Sequence, residues 1–232
     1  MDKMPPKQKK LKIQAVIFDL DGTLIDSIEI YFMIVEKALE RLKLPPVSRD
    51  TILAAAESED FNWGLILPEE MMSRKTEIID QIWEIIDAIA PQLFEKNVKL
   101  IPGAEAVLKR ISSNGMKIGL VTSTRRSFLK IKMQPFKGAD IAELFEVIIT
   151  PDDIPQKKPA PEPLIACAQQ LNVRPDQCAY IGDTRLDMQA ARAAGMKTIG
   201  VLTGFDPPQS LQKEKPDAII DSIGHLMEVI AF

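Results

Sequence analysis

Four short polar clusters in the sequence carry residue types that can act on a phosphate group. Each cluster follows a short apolar segment with the composition of a buried strand, or lies on the loop beyond one. A single acidic turn is more often a helix cap or a solvated corner, so their shared placement is what indicates a site. The clusters are Asp19-Leu-Asp21-Gly-Thr23, Thr122-Ser123, Lys158-Pro159 and Gly182-Asp183-Thr184-Arg-Leu-Asp187.

The carboxylates of Asp19 and Asp183 indicate a cation site. They would come from two strands to one edge of a sheet, where a hard cation would relieve their mutual repulsion. Mg²⁺ suits such a site, because it is commonly held by one or two carboxylates, waters and substrate phosphate. Ca²⁺ is less suited, since the sequence has no ligand-dense loop of the EF-hand kind. The single histidine, His225, lies far from the four clusters, which argues against histidine catalysis and histidine metal clusters.

Three further residues offer groups that bind an anion. Thr122 and Ser123 supply hydroxyl and backbone N–H donors to phosphate oxygens. Lys158 supplies an ammonium group that can neutralise charge as it redistributes during phosphoryl transfer. Together these donors predict an anion pocket that faces the metal.

The elements that must position these clusters alternate between strands and helices. Apolar, β-branched strands are predicted at 13–18, 117–122, 146–150, 178–182 and 197–201, and helices at 104–113, 162–171 and 186–194. Near-continuously apolar strands that alternate with helices indicate a parallel sheet covered on both faces. We therefore predict an α/β fold with a Rossmann-like parallel sheet.

The interval from about 26 to 100 breaks this alternation. It contains helical stripes, such as Ile30, Ile34, Ala38 and Leu42, and no convincing strand. We predict an all-α domain inserted into the α/β core, with residues 1–26 and 101–232 forming the core domain and residues 27–100 the helical domain.

Composition excludes several classes of partner. The 232 residues carry a net charge of −4, so no global positive field is available to hold nucleic acid or an anionic membrane. No apolar run is long enough for a membrane span or a signal peptide, and the basic segment 1–12 reads as a solvated tail. We expect a cytoplasmic protein with two buried, unpaired cysteines.

The four clusters together resemble the motifs of the haloacid dehalogenase superfamily of hydrolases. The segment Val16-Ile-Phe-Asp19-Leu-Asp21-Gly-Thr23-Leu-Ile-Asp26-Ser27 resembles the first motif nearly letter for letter, and the other clusters follow in the family's order. The overall pattern is most similar to the phosphoglycolate phosphatase-like branch, which has a helical, C1-type cap. The resemblance implies that the segment 27–100 is this cap and that it closes over the pocket.

The resemblance also implies a role for each site residue. Asp19 would be the nucleophile that becomes an aspartyl-phosphate, and Asp21 the general acid and base. Asp19, Asp183 and the backbone carbonyl of Asp21 would hold Mg²⁺. Thr122, Ser123 and Lys158 would bind the transferring phosphoryl group, and Lys158 would also be catalytic, rather than Lys157, because Lys158 directly precedes Pro159. Asp187 would support the site through metal-bound water or by orienting Lys158.

These roles predict a Mg²⁺-dependent phosphatase that acts on a small phosphorylated metabolite, with a phosphoglycolate-like phosphomonoester as the best candidate. Dehalogenases of the superfamily lack an aspartate at the position of Asp21, and the related sugar-phosphate mutases have a histidine near the position of Tyr31. A phosphomutase or other phosphotransferase, a pyrophosphatase and, more remotely, a non-catalytic binding protein remain alternatives.

The substrate and the oligomeric state stay open at this point. The segment 54–64 carries Glu57, Glu59 and Asp60, where the phosphoglycolate phosphatase-like branch commonly has a Gly-Leu-Pro-Leu type of segment. Acidic side chains that point inward would repel a second carboxylate on the substrate. We expect a small-molecule substrate, no nucleic acid or membrane partner, and either a monomer or a homodimer.

Overall fold

The computed structural model describes residues 10–56 and 61–231. In chain order the strands are β1 (Leu11–Lys12), β2 (Ala15–Phe18), β3 (Ile25–Asp26), β4 (Lys99–Leu100), β5 (Lys117–Val121), β6 (Val147–Ile149), β7 (Cys178–Gly182), β8 (Lys197–Val201), β9 (Ala218–Ile220) and β10 (Ile230–Ala231). The helices are α1 (Ile28–Arg41), α2 (Arg49–Ala56), α3 (Lys75–Asn97), α4 (Ala104–Ser113), α5 (Arg126–Lys132), α6 (Gln134–Gly138), α7 (Glu162–Gln170), α8 (Arg185–Ala193), α9 (Pro208–Lys213) and α10 (Leu226–Val229).

A parallel six-stranded sheet forms the centre of the molecule, in the order β6-β5-β2-β7-β8-β9. The predicted α/β fold with a parallel sheet is confirmed. Strand β2 lies between β5 and β7: the chain adds β5 and β6 on one side of β2 and then crosses over to add β7, β8 and β9 on the other side. In sheets of this kind, ligands bind beyond the carboxyl ends of the strands at such a reversal of strand order.

Both faces of the sheet are buried, because successive side chains of a strand point to opposite faces. Along β2, Val16 and Phe18 join one hydrophobic cluster and Ala15 and Ile17 join another on the opposite face. All four side chains are completely buried. This explains why the strands are near-continuous apolar runs in the sequence.

The helical stripes between β3 and β4 pack mainly against each other. Phe32 and Leu39 of α1 share a buried cluster with Ile78 and Ile82 of α3. The expectation that this interval holds no strand was wrong at its two ends, where β3 and β4 pair antiparallel. Each is only two residues long, too short to show a periodic pattern.

Two predictions concern residues outside the described ranges. One is the solvated tail, of which residues 1–9 are not described, and the other is the direction of the acidic side chains Glu57, Glu59 and Asp60. Within 10–56 and 61–231, none of the helices combines the length and the apolar character that crossing a membrane requires.

Candidate active site

Three predicted site residues lie directly after three neighbouring strands. Asp19 follows β2, Thr122 follows β5 and Asp183 follows β7. The backbone N–H of Asp19 donates to the carbonyl of Ile181 at 2.8 Å, so the pairing of β2 with β7 extends to the site. Parallel pairing therefore brings these side chains to the same edge of the sheet.

Lys158 connects two of the site carboxylates. Its ammonium donates to Asp19 Oδ1 at 2.8 Å and to Asp187 Oδ1 at 2.6 Å, and its side chain is only 8% exposed. Burial by itself lowers the pKa of Lys158, but the carboxylates of Asp187 and Asp19 outweigh this effect and raise the pKa well above its ordinary value. Lys158 thus places a permanent positive charge beside Asp19.

Asp187 is held by a capping box at the start of α8. The backbone N–H and the hydroxyl of Thr184 donate to Asp187 Oδ2 at 3.0 and 2.6 Å, and the N–H of Asp187 donates back to the Thr184 hydroxyl. A Cβ atom at Gly182 would lie 2.4 Å from Asp187 Cγ, so only glycine leaves room for this carboxylate. Both oxygens of Asp187 are therefore engaged, one by Lys158 and one by Thr184.

Asp183 is completely buried at the end of β7. The hydroxyl of Thr23 donates to its Oδ1 at 3.1 Å, and the backbone N–H of Phe205 donates to its Oδ2 at 2.9 Å. Burial raises the pKa of Asp183 well above its ordinary value, and the charges of Asp187 and Asp19 add to this effect. A positive ion at this site would lower the cost of ionising the carboxyl group.

A carboxylate cluster at this edge fits a hard divalent cation. Oxygen atoms of Asp19, Asp183 and Asp187 lie within 4.8 Å of one another, and all three residues are buried. Burial raises the pKa of Asp19 to about 7, although Lys158 works in the opposite direction. Asp187 accepts from Lys158 through Oδ1 at 2.6 Å, so it is placed to orient that side chain beside the cluster.

Asp21 does not belong to this cluster of three carboxylates. Its Oδ1 and Oδ2 accept hydrogen bonds from Lys132 at 2.8 and 2.7 Å, and its Oδ2 accepts a third from the hydroxyl of Thr124 at 2.9 Å. Lys132 and Thr124 were not predicted from the sequence as residues of the site. The sequence did contain one indication of a role for Lys132. This lysine falls at helical spacing among the apolar residues Leu129, Met133 and Phe136, which form the buried face of α5 and α6.

The two hydroxyl residues after β5 differ in exposure. Thr122 is buried, and its Oγ1 accepts the backbone N–H of Thr124 at 3.1 Å, whereas Ser123 is exposed. This hydrogen bond turns the chain sharply after β5. Both residues lie at the predicted edge of the sheet.

Tyr180 also contacts the site, although the sequence did not predict it as a site residue. It is completely buried within β7, and its hydroxyl accepts a hydrogen bond from Lys158 at 3.1 Å. The same hydroxyl lies 3.1 Å from the carbonyl oxygen of Val121. Tyr180 therefore helps to fix the position of Lys158. A polar hydroxyl within the otherwise apolar strand β7 was the feature of the sequence that could have indicated this role.

Comparison with known proteins identifies the family of this arrangement. Residues 16–201 match the haloacid dehalogenase-like hydrolase family. A phosphoglycolate phosphatase from Salmonella choleraesuis is 30% identical over 96% of this chain and 94% of the relative.

Two solved structures share the fold. A predicted phosphoglycolate phosphatase from Haemophilus somnus superposes with a TM-score of 0.81 at 20% identity, over 94% of this chain and 97% of the other. A proposed beta-phosphoglucomutase from Thermotoga maritima gives a TM-score of 0.69 at 22% identity, over 94% and 98% of the two chains. The predicted family and enzyme class are confirmed, and the chain belongs to the haloacid dehalogenase-like hydrolases.

Proposed function

We propose that this protein is a Mg²⁺-dependent phosphatase that hydrolyses a small phosphomonoester through a phosphorylated Asp19. The observation that carries the proposal is the contact of Lys158 with Asp19, beside the buried carboxylate of Asp183. This arrangement combines an oxygen nucleophile, a fixed positive charge and a cluster of carboxylates that suits a metal ion.

The reaction would proceed in two displacements at phosphorus. In the first, a carboxylate oxygen of Asp19 forms a bond to phosphorus, and the bond to the leaving oxygen breaks as Asp21 donates a proton to that oxygen. In the second, a water oxygen forms a bond to phosphorus and the bond between phosphorus and the Asp19 oxygen breaks, while Asp21 accepts a proton from the water. Inorganic phosphate leaves, and both carboxyl groups return to their starting states.

The charged and polar groups around Asp19 would have separate roles in these steps. Lys158 would bind a phosphoryl oxygen and offset the negative charge that gathers around phosphorus, and Asp187 would orient Lys158. Thr122 and Ser123 would supply further donors at the end of β5. Asp19, Asp183 and the carbonyl of Asp21 would hold Mg²⁺, which supplies charge neutralisation and orientation of the phosphate when bound.

The helical segment is proposed to act as a cap, with the domain bounds 27–100 predicted from the sequence. Tyr31 of α1 and Phe94 of α3 contact Lys132 beside Asp21, so this segment reaches the site. A cap of this kind would exclude bulk water and contribute contacts to the non-reacting part of the substrate.

The curated relatives support phosphoglycolate as the first substrate to test. A sugar phosphate, with transfer to a second alcohol group, is the alternative that the fold similarity to a proposed beta-phosphoglucomutase keeps open. The fate of the phosphoryl group distinguishes a phosphatase from a phosphotransferase, because a phosphatase releases one inorganic phosphate for each substrate molecule that it consumes.

The deciding experiment measures phosphate release from phosphoglycolate, sugar phosphates, nucleoside monophosphates and pyrophosphate, each with Mg²⁺ and with a chelator. We expect Mg²⁺-dependent release that favours one phosphomonoester. The matched control is Asp19→Asn, which keeps the size of the side chain but removes the nucleophile. Failure of the folded wild-type protein to release phosphate from any of these compounds would contradict the proposal.

A further inference from the structure

Lys132 is a buried cation that the proposed reaction does not use directly. It is the last residue of α5, and its side chain is only 3% exposed. Burial by itself lowers the pKa of Lys132, but the charge of Asp21, the Tyr31 hydroxyl and the hydrogen bonds to both together outweigh burial, and the net shift is upward. Lysine side chains are seldom fully buried unless they are paired, because removing an ammonium group from water costs free energy.

The surroundings of Lys132 leave its ammonium group no capacity for a substrate. Four oxygen atoms lie at hydrogen-bonding distance from Nζ: both carboxylate oxygens of Asp21 at 2.8 and 2.7 Å, the Thr124 hydroxyl at 2.9 Å and the Tyr31 hydroxyl at 3.0 Å. An ammonium group has three N–H donors. Lys132 is therefore saturated by protein atoms, and its contacts define where the Asp21 carboxylate lies.

The helical segment holds Lys132 from the other side. Nζ lies 4.5 Å from the ring centroid of Phe94 on α3 and 5.2 Å from that of Tyr31 on α1. The two rings pack edge to face with centroids 5.7 Å apart. The desolvated cation–π contact with Phe94 is attractive and favours this position of the ammonium group, whereas Tyr31 holds the group through its hydroxyl, 3.0 Å from Nζ.

We propose that Lys132 is the positioning residue of Asp21, and that Tyr31 and Phe94 of the helical segment fix Lys132 in its place. This inference rests on the proposed function, in which Asp21 exchanges protons with the leaving oxygen and with water. It links the helical segment to the proton-transfer residue through one side chain. Lys132 itself does not touch the reacting atoms.

Removing Lys132 should affect proton transfer by Asp21 more than substrate binding. Without Lys132, the Asp21 carboxylate loses the donor that bridges both of its oxygens and, among the residues that the structure describes, keeps the side-chain donor of Thr124 alone. Phosphate binding by Lys158 and Thr122 does not depend on this contact. The loss should therefore lower kcat and leave KM for an alkyl phosphate nearly unchanged.

The test compares Lys132→Met with wild type on two substrates that differ in their leaving groups. Nitrophenolate leaves without needing a proton, whereas an alkoxide needs one. We expect kcat for an alkyl phosphate to fall by about 10- to 100-fold, within the usual contribution of a positioned acid or base. With p-nitrophenyl phosphate we expect a burst of nitrophenolate of about one per active site, followed by slow turnover as the aspartyl-phosphate waits for hydrolysis.

Three variants separate positioning from a loss of structure. Lys132→Arg keeps a cation and should restore part of kcat. Tyr31→Phe keeps the ring but removes one oxygen contact of Lys132, and should lower kcat by a smaller factor without loss of folding. Lys130→Met changes an exposed lysine of the same helix and should behave as wild type. If Lys132→Met does not fold, the kcat values of Tyr31→Phe and Lys132→Arg test the positioning role instead, and wild-type kcat in both variants would contradict that role.

The outcomes distinguish this inference from the proposed function. If wild type releases phosphate and Lys132→Met matches it on the alkyl phosphate, the positioning role is wrong while the phosphatase stands. Parallel losses of burst amplitude and turnover, with no recovery in Lys132→Arg, would show a structural role and also overturn it. If wild type itself shows no Mg²⁺-dependent turnover of either substrate, the failure belongs to the proposed function.

Discussion

The side chain of Asp183 occupies the space in which a Cβ atom of residue 204 would lie. A Cβ built on Gly204 would be 1.8 Å from Asp183 Oδ2, far inside van der Waals contact. A Cβ built on Gly22 would meet the same carboxylate, at 2.6 Å from Oδ2. The two glycines therefore allow the backbone to close around a proposed metal ligand.

Gly204→Ala should displace Asp183 and weaken Mg²⁺ binding. We expect the Mg²⁺ concentration for half-maximal activity to rise by about tenfold or more, in line with the effect of disturbing the surroundings of metal ligands. Mg²⁺ titrations of phosphate release, together with the Tm, measure this change. Gly138→Ala is the matched control, because a Cβ there meets nothing within 4 Å. An unchanged Mg²⁺ requirement in Gly204→Ala would argue against Asp183 as a ligand.

Stabilisation by Mg²⁺ should grow with pH. The pKa of Asp19 is raised from 3.8 to about 7 by burial, so this group contributes stability below its unfolded pKa and loses that contribution as the pH rises through about 7. Mg²⁺ binds the ionised carboxylates and should compensate for this loss. We expect the difference in Tm between Mg²⁺ and chelator to be larger at about pH 8 than at about pH 5.5.

Asp19→Asn provides the control for this pH dependence. The amide does not titrate, so the metal-free variant should lose less stability than wild type between the two pH values. Its Tm should also respond less to Mg²⁺, because one proposed ligand is neutral. A Mg²⁺ effect on wild-type Tm that is equal at both pH values, or larger at the lower one, would contradict the assignment of Asp19.

Asp19→Asn should also abolish turnover while the protein remains folded. An amide cannot form the aspartyl-phosphate, and the loss of a covalent nucleophile typically lowers kcat by about 10³-fold or more. The measurement is phosphate release at saturating substrate, with circular dichroism to verify folding. Turnover near that of wild type would overturn the nucleophile assignment.

Asp21→Asn should separate the two chemical steps. The amide cannot accept a proton from water, so the aspartyl-phosphate should persist once it forms. Acid quenching during turnover of p-nitrophenyl phosphate, followed by mass spectrometry of intact protein, should show one added phosphoryl group in this variant. The double variant Asp19→Asn, Asp21→Asn should show none. Equal phosphorylation of both variants would point to a nucleophile other than Asp19.

Much of the fold could be predicted from the sequence, because parallel strands buried on two faces are continuous apolar runs. The strands 178–182 and 197–201 agree with the structure residue for residue. The sixth strand of the sheet, β9 at Ala218–Ile220, was not predicted, although β6, which is equally short, was. The strands β1, β3, β4 and β10 were missed because two residues carry no periodic signal.

The sequence by itself determined the family, the fold class and the edge of the sheet at which the site lies. These follow from local information, namely polar clusters at the ends of apolar strands and motif residues in a fixed order. Asp19, Asp183, Thr122 and Lys158 could be named in advance because each lies within such a cluster, although their roles stay predictions.

Only the tertiary structure decided how the site is supported. Tyr31, Phe94 and Lys132 lie on three different helices, yet they meet beside Asp21. Their positions depend on how the helical segment packs against α5, and no spacing along the chain encodes that packing. Contacts between residues about a hundred positions apart become visible only when the chain has folded, and here they surround Asp21, the proposed proton-transfer residue.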